Sequence, residues 1–450
     1  MVEPVQNVAG STHAAGETPT LSRSQHRRVI VASVSGTVIE WYDFTLYAVA
    51  SALIFGPQFF PGAGPVGAVL ASFGTFAIGV AVRPIGGFVF AHFGDRIGRK
   101  PIMLATVLTM GLSTTVIGLL PTAAVAGPAA AWLLIVLRVM QGLAVGAEFA
   151  GAITLLNETS PSEHRSFTSG FASSASYIGN TIATVGFALL ALLPSNVFES
   201  WAWRIPFLAT IVVVAVAVYV RTRIEETPAF RHAAQANSIP RLPIVAVLRE
   251  RPRETVCVAL VYCLAMPWAY TVQTFGLNYM TRTLHLSYLT ATVCLVVAYV
   301  TLIPALVLFG SVADRISPKR MLIFSAIGSM VWAYPMFAAI DSKQPVLVGG
   351  AIVIGLLISQ GVPSAASTVM VTNAFRTEYR WTGIILSREV AAAVIGGTAP
   401  LIAVGLLTLG GGQPWWICGF LAAAAALSLV GVFAMPKHVF RHGPDVKLVD

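Results

Sequence analysis

The chain has 450 residues, of which 56% are hydrophobic and only 10% charged, with a mean hydropathy of +0.78. A water-soluble fold of this length needs more charge to cover its surface. The formal net charge of +9 does not indicate a nucleic-acid partner, because the basic residues fall between apolar runs.

Those runs are continuous and roughly 20 residues long, the length of helix that crosses a hydrocarbon core of about 30 Å. Barrel strands would alternate over about ten residues, so the chain reads as an all-α membrane protein embedded in a lipid bilayer. Residues 1–28 form a polar, Ser/Thr-rich tail, expected to be disordered. Twelve spans follow, near 29–55, 67–92, 101–121, 130–157, 167–194, 203–222, 255–280, 289–311, 321–340, 345–371, 383–409 and 414–435. Pro and Gly punctuate the turns, as in Gly410-Gly411-Gly412-Gln413-Pro414. Residues 223–254 form the longest polar loop and divide a bundle over 29–222 from one over 255–435, with a second tail at 436–450. Of the 28 Lys and Arg, 22 fall on the side that carries both termini, 3 on the other and 3 inside spans. That bias places both termini in the cytoplasm.

A charged hairpin marks each half. Gly94-Asp95-Arg96-Ile97-Gly98-Arg99-Lys100 lies between two apolar runs, and a weaker copy returns as Asp314-Arg315-Ile316-Ser317-Pro318-Lys319-Arg320, about half the chain away.

Seven ionisable residues fall inside the spans: Glu40, Asp43, Arg83, Arg138, Glu148, Arg388 and Glu389. Each costs several kcal/mol unless paired or hydrated, which makes each a functional candidate. The helix rise puts Glu40 roughly 17 Å, Arg83 roughly 18 Å and Glu148 roughly 15 Å from the inner surface, a common level near the midplane. Gly36, Glu40, Asp43 and Tyr47 share one face of the first span, which must look inward. Two readings follow. Glu40 and Asp43 form an inert buried ion-pair lock with Arg83, or Glu40, Asp43 and Glu148 accept protons as desolvated carboxylates.

In the fourth span, Arg138, Gly142, Gly146 and Ala150 recur every four residues, a small-residue stripe for close packing. Arg138, placed toward the outer end with Gln141 one turn on, either holds an anionic substrate or snorkels to the outer headgroups. Arg388 and Glu389, adjacent in the eleventh span, diverge by about 100° on a helix and so do not easily share a partner. The seventh span carries Tyr270, Gln273 and Thr274 beyond Pro267, where a proline frees a backbone carbonyl. Arg83, Arg138, Tyr47, Gln141, Tyr270, Gln273, Arg388 and Glu389 are the candidate substrate ligands.

Cys257, Cys263, Cys294 and Cys418 show no metal or disulfide spacing. No phosphate-binding loop or HExxH run appears. The chain is expected not to be an enzyme, to use no cofactor, and to draw its energy from a gradient.

Five stretches carry a resemblance: Gly36 through Phe44, Arg83-Pro84-Ile85-Gly86-Gly87, Phe93 through Lys100, Leu137 through Glu148, and Trp201 through Phe207. Together they resemble the major facilitator superfamily, most closely its metabolite:proton symporters of the shikimate, alpha-ketoglutarate and proline/betaine type. The resemblance implies twelve helices in two pseudo-symmetric six-helix bundles, with alternating access around a central site. It implies a monomer that imports a small polar metabolite together with protons, either an organic acid or a zwitterionic osmolyte. A transporter-like sensor is a third reading. It makes Asp95, Arg96 and Arg99 an inner gating latch, weaker in its second copy at Asp314 and Arg315, where Ser317 and Pro318 replace the usual Gly and Arg.

Overall fold

In the computed structural model, residues 23–97, 99–146, 165–222, 243–313, 315–376 and 379–440 are described, and among them every regular element is a helix. Eleven helices are long and apolar enough to cross a membrane: α1 (Gly36–Phe59), α2 (Pro61–Phe90), α3 (Pro101–Leu119), α4 (Pro128–Val145), α6 (Ala202–Tyr219), α7 (Pro252–Thr283), α8 (Tyr288–Ala313), α9 (Pro318–Asp341), α10 (Pro345–Thr368), α11 (Thr382–Leu409) and α12 (Trp415–Ala434). The remaining span, α5 (Arg165–Leu190), is a 26-residue helix. It is less apolar because Ser, Thr, Gly and Asn line it, and it is the helix that packs between α1 and α8.

The helix leading into α1 starts at Arg23, since nothing from Arg23 to Arg28 breaks it. A short helix, Pro243–Glu250, lies within the stretch that joins the halves. Prolines open α2, α3, α4, α7, α9 and α10, where the missing N–H would have no partner anyway. The turn between α11 and α12 needs glycine, because Gly411 and Gly412 take φ of +62° and +88°.

Each half closes on itself through α1–α5, α6–α3, α3–α4 and α2–α4 in the first, and α7–α12, α9–α12 and α8–α10 in the second. The halves meet along α5–α8, α5–α10, α2–α11 and α1–α7. Polarity is inverted relative to a soluble protein. Leu119, Val212, Val216, Phe324 and Val331 are exposed, while the charged side chains of α1, α2, α4 and α11 are buried. Lipid tails cover the former and only protein can satisfy the latter.

Small residues set how closely α2 and α4 approach. A Cβ on Gly142 would run into the carbonyl of Gly79, and one on Gly146 would meet Gly87 N at 2.7 Å. Of the stripe read in the sequence, Gly142 and Gly146 make this contact, and Ala150 lies outside the described residues. The run Trp203 to Phe207 anchors the first turn of α6. Trp203 is fully buried against Phe55 and Phe59, and the carbonyl of Pro206 accepts a 2.7 Å bond from Tyr42 OH on α1.

Several spans depart from regular α-helix. π-helical turns occur at Ser51–Phe55 in α1, Thr271–Gly276 and Tyr279–Thr283 in α7, Leu357–Gly361 in α10, and Ile385–Glu389 and Ala392–Gly396 in α11. Such turns leave backbone groups without their i−4 partners and concentrate at functional positions. Here they lie on helices that line the junction of the halves.

Candidate functional site

The site is built on α1, which is buried on nearly all sides. Glu40, Asp43 and Tyr47 look inward, as their spacing requires, and Asp43 is only 1% exposed. Its carboxylate accepts a hydrogen bond from Thr114 on α3. Gln141 on α4 places Nε2 at 3.2 and 3.3 Å from the two Asp43 oxygens. That same nitrogen lies 2.6 Å from Thr114 Oγ1, so both amide hydrogens are used. The amide oxygen accepts a 3.0 Å bond from Arg138 Nη1. Carboxylate and guanidinium are therefore joined through a neutral amide rather than in direct contact. Asp43 forms no ion pair with Arg83 among the described residues, the contact that the inert lock required of it.

Arg138 does not snorkel. α4 begins at Pro128, which puts Arg138 about 15 Å along the helix, and its side chain is 3% exposed. The guanidinium lies over the Tyr47 ring, with Cζ 3.8 Å from the centroid, and 5.6 Å from that of Phe76. Its other face rests on Gly79, where an added Cβ would come within 2.7 Å of Cζ. Tyr47 is held in turn by a 2.5 Å bond between its hydroxyl and Thr75 on α2. Arg138 Nε and Nη2 are buried with no hydrogen-bond partner among the described residues. The guanidinium is thus held by its ring contacts and one nitrogen, and its two other nitrogens keep donors that an acceptor oxygen would satisfy.

Arg83 is brought in at a break in α2. The helical segments Gly64–Ala81 and Arg83–Ile97 join at Val82, just ahead of Pro84, which has no N–H to donate, and the buried side chain of Arg83 lies over the Phe44 ring at 4.7 Å. Phe44, Phe76 and Tyr270 form a triangle with centroid distances of 5.1, 4.9 and 5.5 Å, so α1 and α2 touch α7 through aromatic faces. The buried Tyr270 hydroxyl has no hydrogen-bond partner among the described residues. It lies within electrostatic reach of Arg83 and Glu40 from the first half and of Arg388 and Glu389 from the second. Arg388 and Glu389 pair with each other, within the π-turn Ile385–Glu389.

Gln273 serves the junction of the halves. Its Nε2 lies 2.7 Å from Thr45 Oγ1 on α1, which in turn lies 2.7 Å from the side-chain amide of Asn180 on α5. With its nitrogen turned to that side, the Asn180 amide also reaches the carbonyls of Ser176 and Trp41. Thr114, Thr75, Thr45 and Asn180 were not among the sequence candidates. The run Ser113-Thr114-Thr115 inside an apolar span is the signal that marks the first.

Asp95 and Arg96 end the helix Arg83–Ile97, Arg99 opens Arg99–Leu119, and Arg315 is exposed in the turn after α8. Glu148 and Asp314 lie outside the described residues. Among the described residues no group of three or more His, Cys, Asp or Glu is placed to hold a metal ion.

A helical membrane protein with charged groups gathered where two bundles meet is built as a carrier. Comparison with known proteins specifies which kind. The sequence pattern of the Major Facilitator Superfamily matches residues 33–384. The chain is 33% identical over 420 residues to the shikimate transporter of Escherichia coli (strain K12), covering 92% of this chain and 96% of that one. It is 34% identical over 441 residues to an inner membrane metabolite transport protein of the same organism, covering 96% and 97%. In three dimensions it is similar to the crystal structure of a D-xylose-proton symporter, with a TM-score of 0.71 at 15% identity, covering 94% of this chain and 99% of that chain. The chain belongs to the Major Facilitator Superfamily. It is a multi-pass inner-membrane secondary transporter, not an enzyme.

Proposed function

We propose that this transporter imports a small organic acid together with protons, by alternating access around the level of Asp43 and Arg138. The observation that carries the reading is the relay from Asp43 through Gln141 to Arg138, whose Nε and Nη2 remain unsatisfied. Asp43 takes the proton and Arg138 receives the carboxylate, with Glu40, Arg83, Tyr270, Arg388 and Glu389 completing the polar surroundings. Both termini face the cytoplasm in this reading, as the Lys/Arg bias requires, and Asp95 and Arg99 latch the inner side.

Relatives include proteins called putative proline/betaine transporters, which keeps an osmolyte in view. The ring faces argue for the acid. A quaternary ammonium needs open aromatic faces, whereas Phe44 and Tyr47 already carry the guanidinium groups of Arg83 and Arg138.

Uptake into proteoliposomes under an imposed inward proton gradient, across a panel of labelled organic acids and betaines, tests the reading. Expected is gradient-stimulated accumulation of at least one acid, and none of a betaine. No uptake across the panel, uptake indifferent to the gradient, or uptake of betaines alone overturns it.

A further inference from the structure

We propose that Gln141 is the positioning residue through which a proton on Asp43 opens Arg138 to the anion. The inference rests on the transport reading above and gives it a coupling step.

An amide has a direction, since its nitrogen only donates and its oxygen only accepts. With Asp43 ionised, the Gln141 nitrogen faces the carboxylate and Thr114, at 3.2 and 2.6 Å. The oxygen is thereby turned to Arg138 and occupies Nη1 at 3.0 Å. Gln141 is fully buried, so water does not stand in for either end.

A proton entering from the open side forms one new O–H bond on Asp43 and cancels its charge. The acid group is now a donor that needs an acceptor. Thr114, no longer needed by a carboxylate, can turn its own hydrogen to the end of the Gln141 amide that faces it, 2.6 Å away. The Gln141 amide, rotated end for end, offers its oxygen to the new O–H. That rotation sets N–H against N–H at Arg138, and Nη1 is released. Nε, Nη2 and Nη1 are then all available, and a guanidinium with a free fork binds carboxylate through two parallel bonds. By linkage the effect is reciprocal, so a bound anion favours the proton by the same factor.

The charged and titratable groups around the relay come from several helices. Asp43 faces Arg138 of α4 and Arg83 of α2, with Tyr42 beside it on α1, and α3 supplies Thr114. Arg138 faces Tyr47 of α1, Tyr270 of α7 and Arg83. Both arginines attract the Asp43 carboxylate, but only Gln141 bonds both ends.

The test is infrared difference spectroscopy between low and high pH on the purified, lipid-reconstituted protein, with isotope-labelled arginine and no substrate present. In the unchanged protein a carboxyl band that Asp43→Asn abolishes is expected together with a shift of an arginine band. In Gln141→Leu the carboxyl band remains and the arginine shift is lost. Gln141→Met, of closer length, is expected to behave the same way and serves if the leucine variant does not fold. An arginine shift that persists in either variant overturns the inference. Absence of a titrating Asp43 in the unchanged protein instead overturns the assignment of the proton site. A second readout uses shikimate as the carboxylate probe. Its KM is expected to change about tenfold between about pH 5.5 and about pH 7.5 in the unchanged protein, and less than about twofold in Gln141→Leu. An equal pH dependence in both contradicts the coupling role.

Discussion

Gln273 on α7 and Thr45 on α1 meet across the junction of the two halves, with Nε2 2.7 Å from Oγ1. Both are buried, and Thr45 is also tied to Asn180 of α5. Two bonds through Thr45 thus join three helices from both halves, at the level where a carrier of this fold must separate them to move its substrate. Replacing Gln273 by Leu removes the link and leaves the Thr45–Asn180 contact. A buried hydrogen bond contributes about 1 kcal/mol net, which is roughly a fivefold change in the ratio of closed to open states. Reaction of an introduced Ala52→Cys with a membrane-impermeant thiol reagent is expected to quicken by about that factor. An unchanged rate would mean that the bond does not hold the halves together.

The last turns of α7 make a stronger tie to α1. Asn278 Nδ2 donates to the carbonyl of Ala52 at 2.8 Å and Arg282 Nη2 to that of Leu53 at 2.9 Å, both within the π-turn of α1. The side chains of α7 therefore satisfy carbonyls in an irregular stretch of α1. Hydrogen bonds from a charged donor contribute about 1.5–3 kcal/mol. Arg282→Ala is expected to quicken the labelling of Ala52→Cys more than Gln273→Leu does in the same assay. Arg282→Gln, which keeps a donor, is expected to recover part of the difference. A smaller effect for Arg282→Ala would contradict the ranking.

Packing of α2 on α4 gives a stability test. A methyl group on Gly142 meets the Gly79 carbonyl, which is backbone and cannot turn aside, as well as the Val82 side chain. Overpacking of this kind costs about 1–3 kcal/mol and more when backbone must shift. Gly142→Val is expected to lower the melting temperature in detergent by several degrees or to prevent accumulation. Gly405→Val, at a position where nothing stands within 4 Å, is expected to be neutral. Equal behaviour of the two would contradict the close-packed contact.

The sequence made most of the fold legible, because the bilayer imposes one strong rule: apolar runs of helix length with charged turns. The seven intramembrane charges stood out for the same reason, and the six that are described are all buried. What remained hidden was partnership. Asp43 and Gln141 lie on different helices, and no periodicity within α1 or α4 says that an amide stands between Asp43 and Arg138. The mutual pairing of Arg388 with Glu389 was not anticipated, and the π-turn that holds both has no marker in Ile385-Leu386-Ser387-Arg388-Glu389. Thr114 and Thr45 escaped notice because a threonine in a span usually bonds its own helix backbone.

That pair invites a contrast between breaking an interaction and replacing it. Glu389→Gln leaves the charge of Arg388 without its carboxylate, and such single removals cost about 3–5 kcal/mol. The double change Arg388→Met with Glu389→Met removes both charges and is expected to be the more stable of the two in thermal unfolding. A double variant less stable than the single one would show that the pair contributes more than mutual neutralisation.

The central claim is that Asp43 carries the proton which drives accumulation. The most direct measurement compares Asp43→Asn with the unchanged protein in proteoliposomes, using the acid identified in the uptake panel. Two modes are read: accumulation under an inward proton gradient, and exchange of labelled for unlabelled acid with no gradient. Asparagine stands in for the protonated carboxyl, so exchange is expected to persist while accumulation falls to simple equilibration. Gradient-driven accumulation by Asp43→Asn at the level of the unchanged protein would contradict the account.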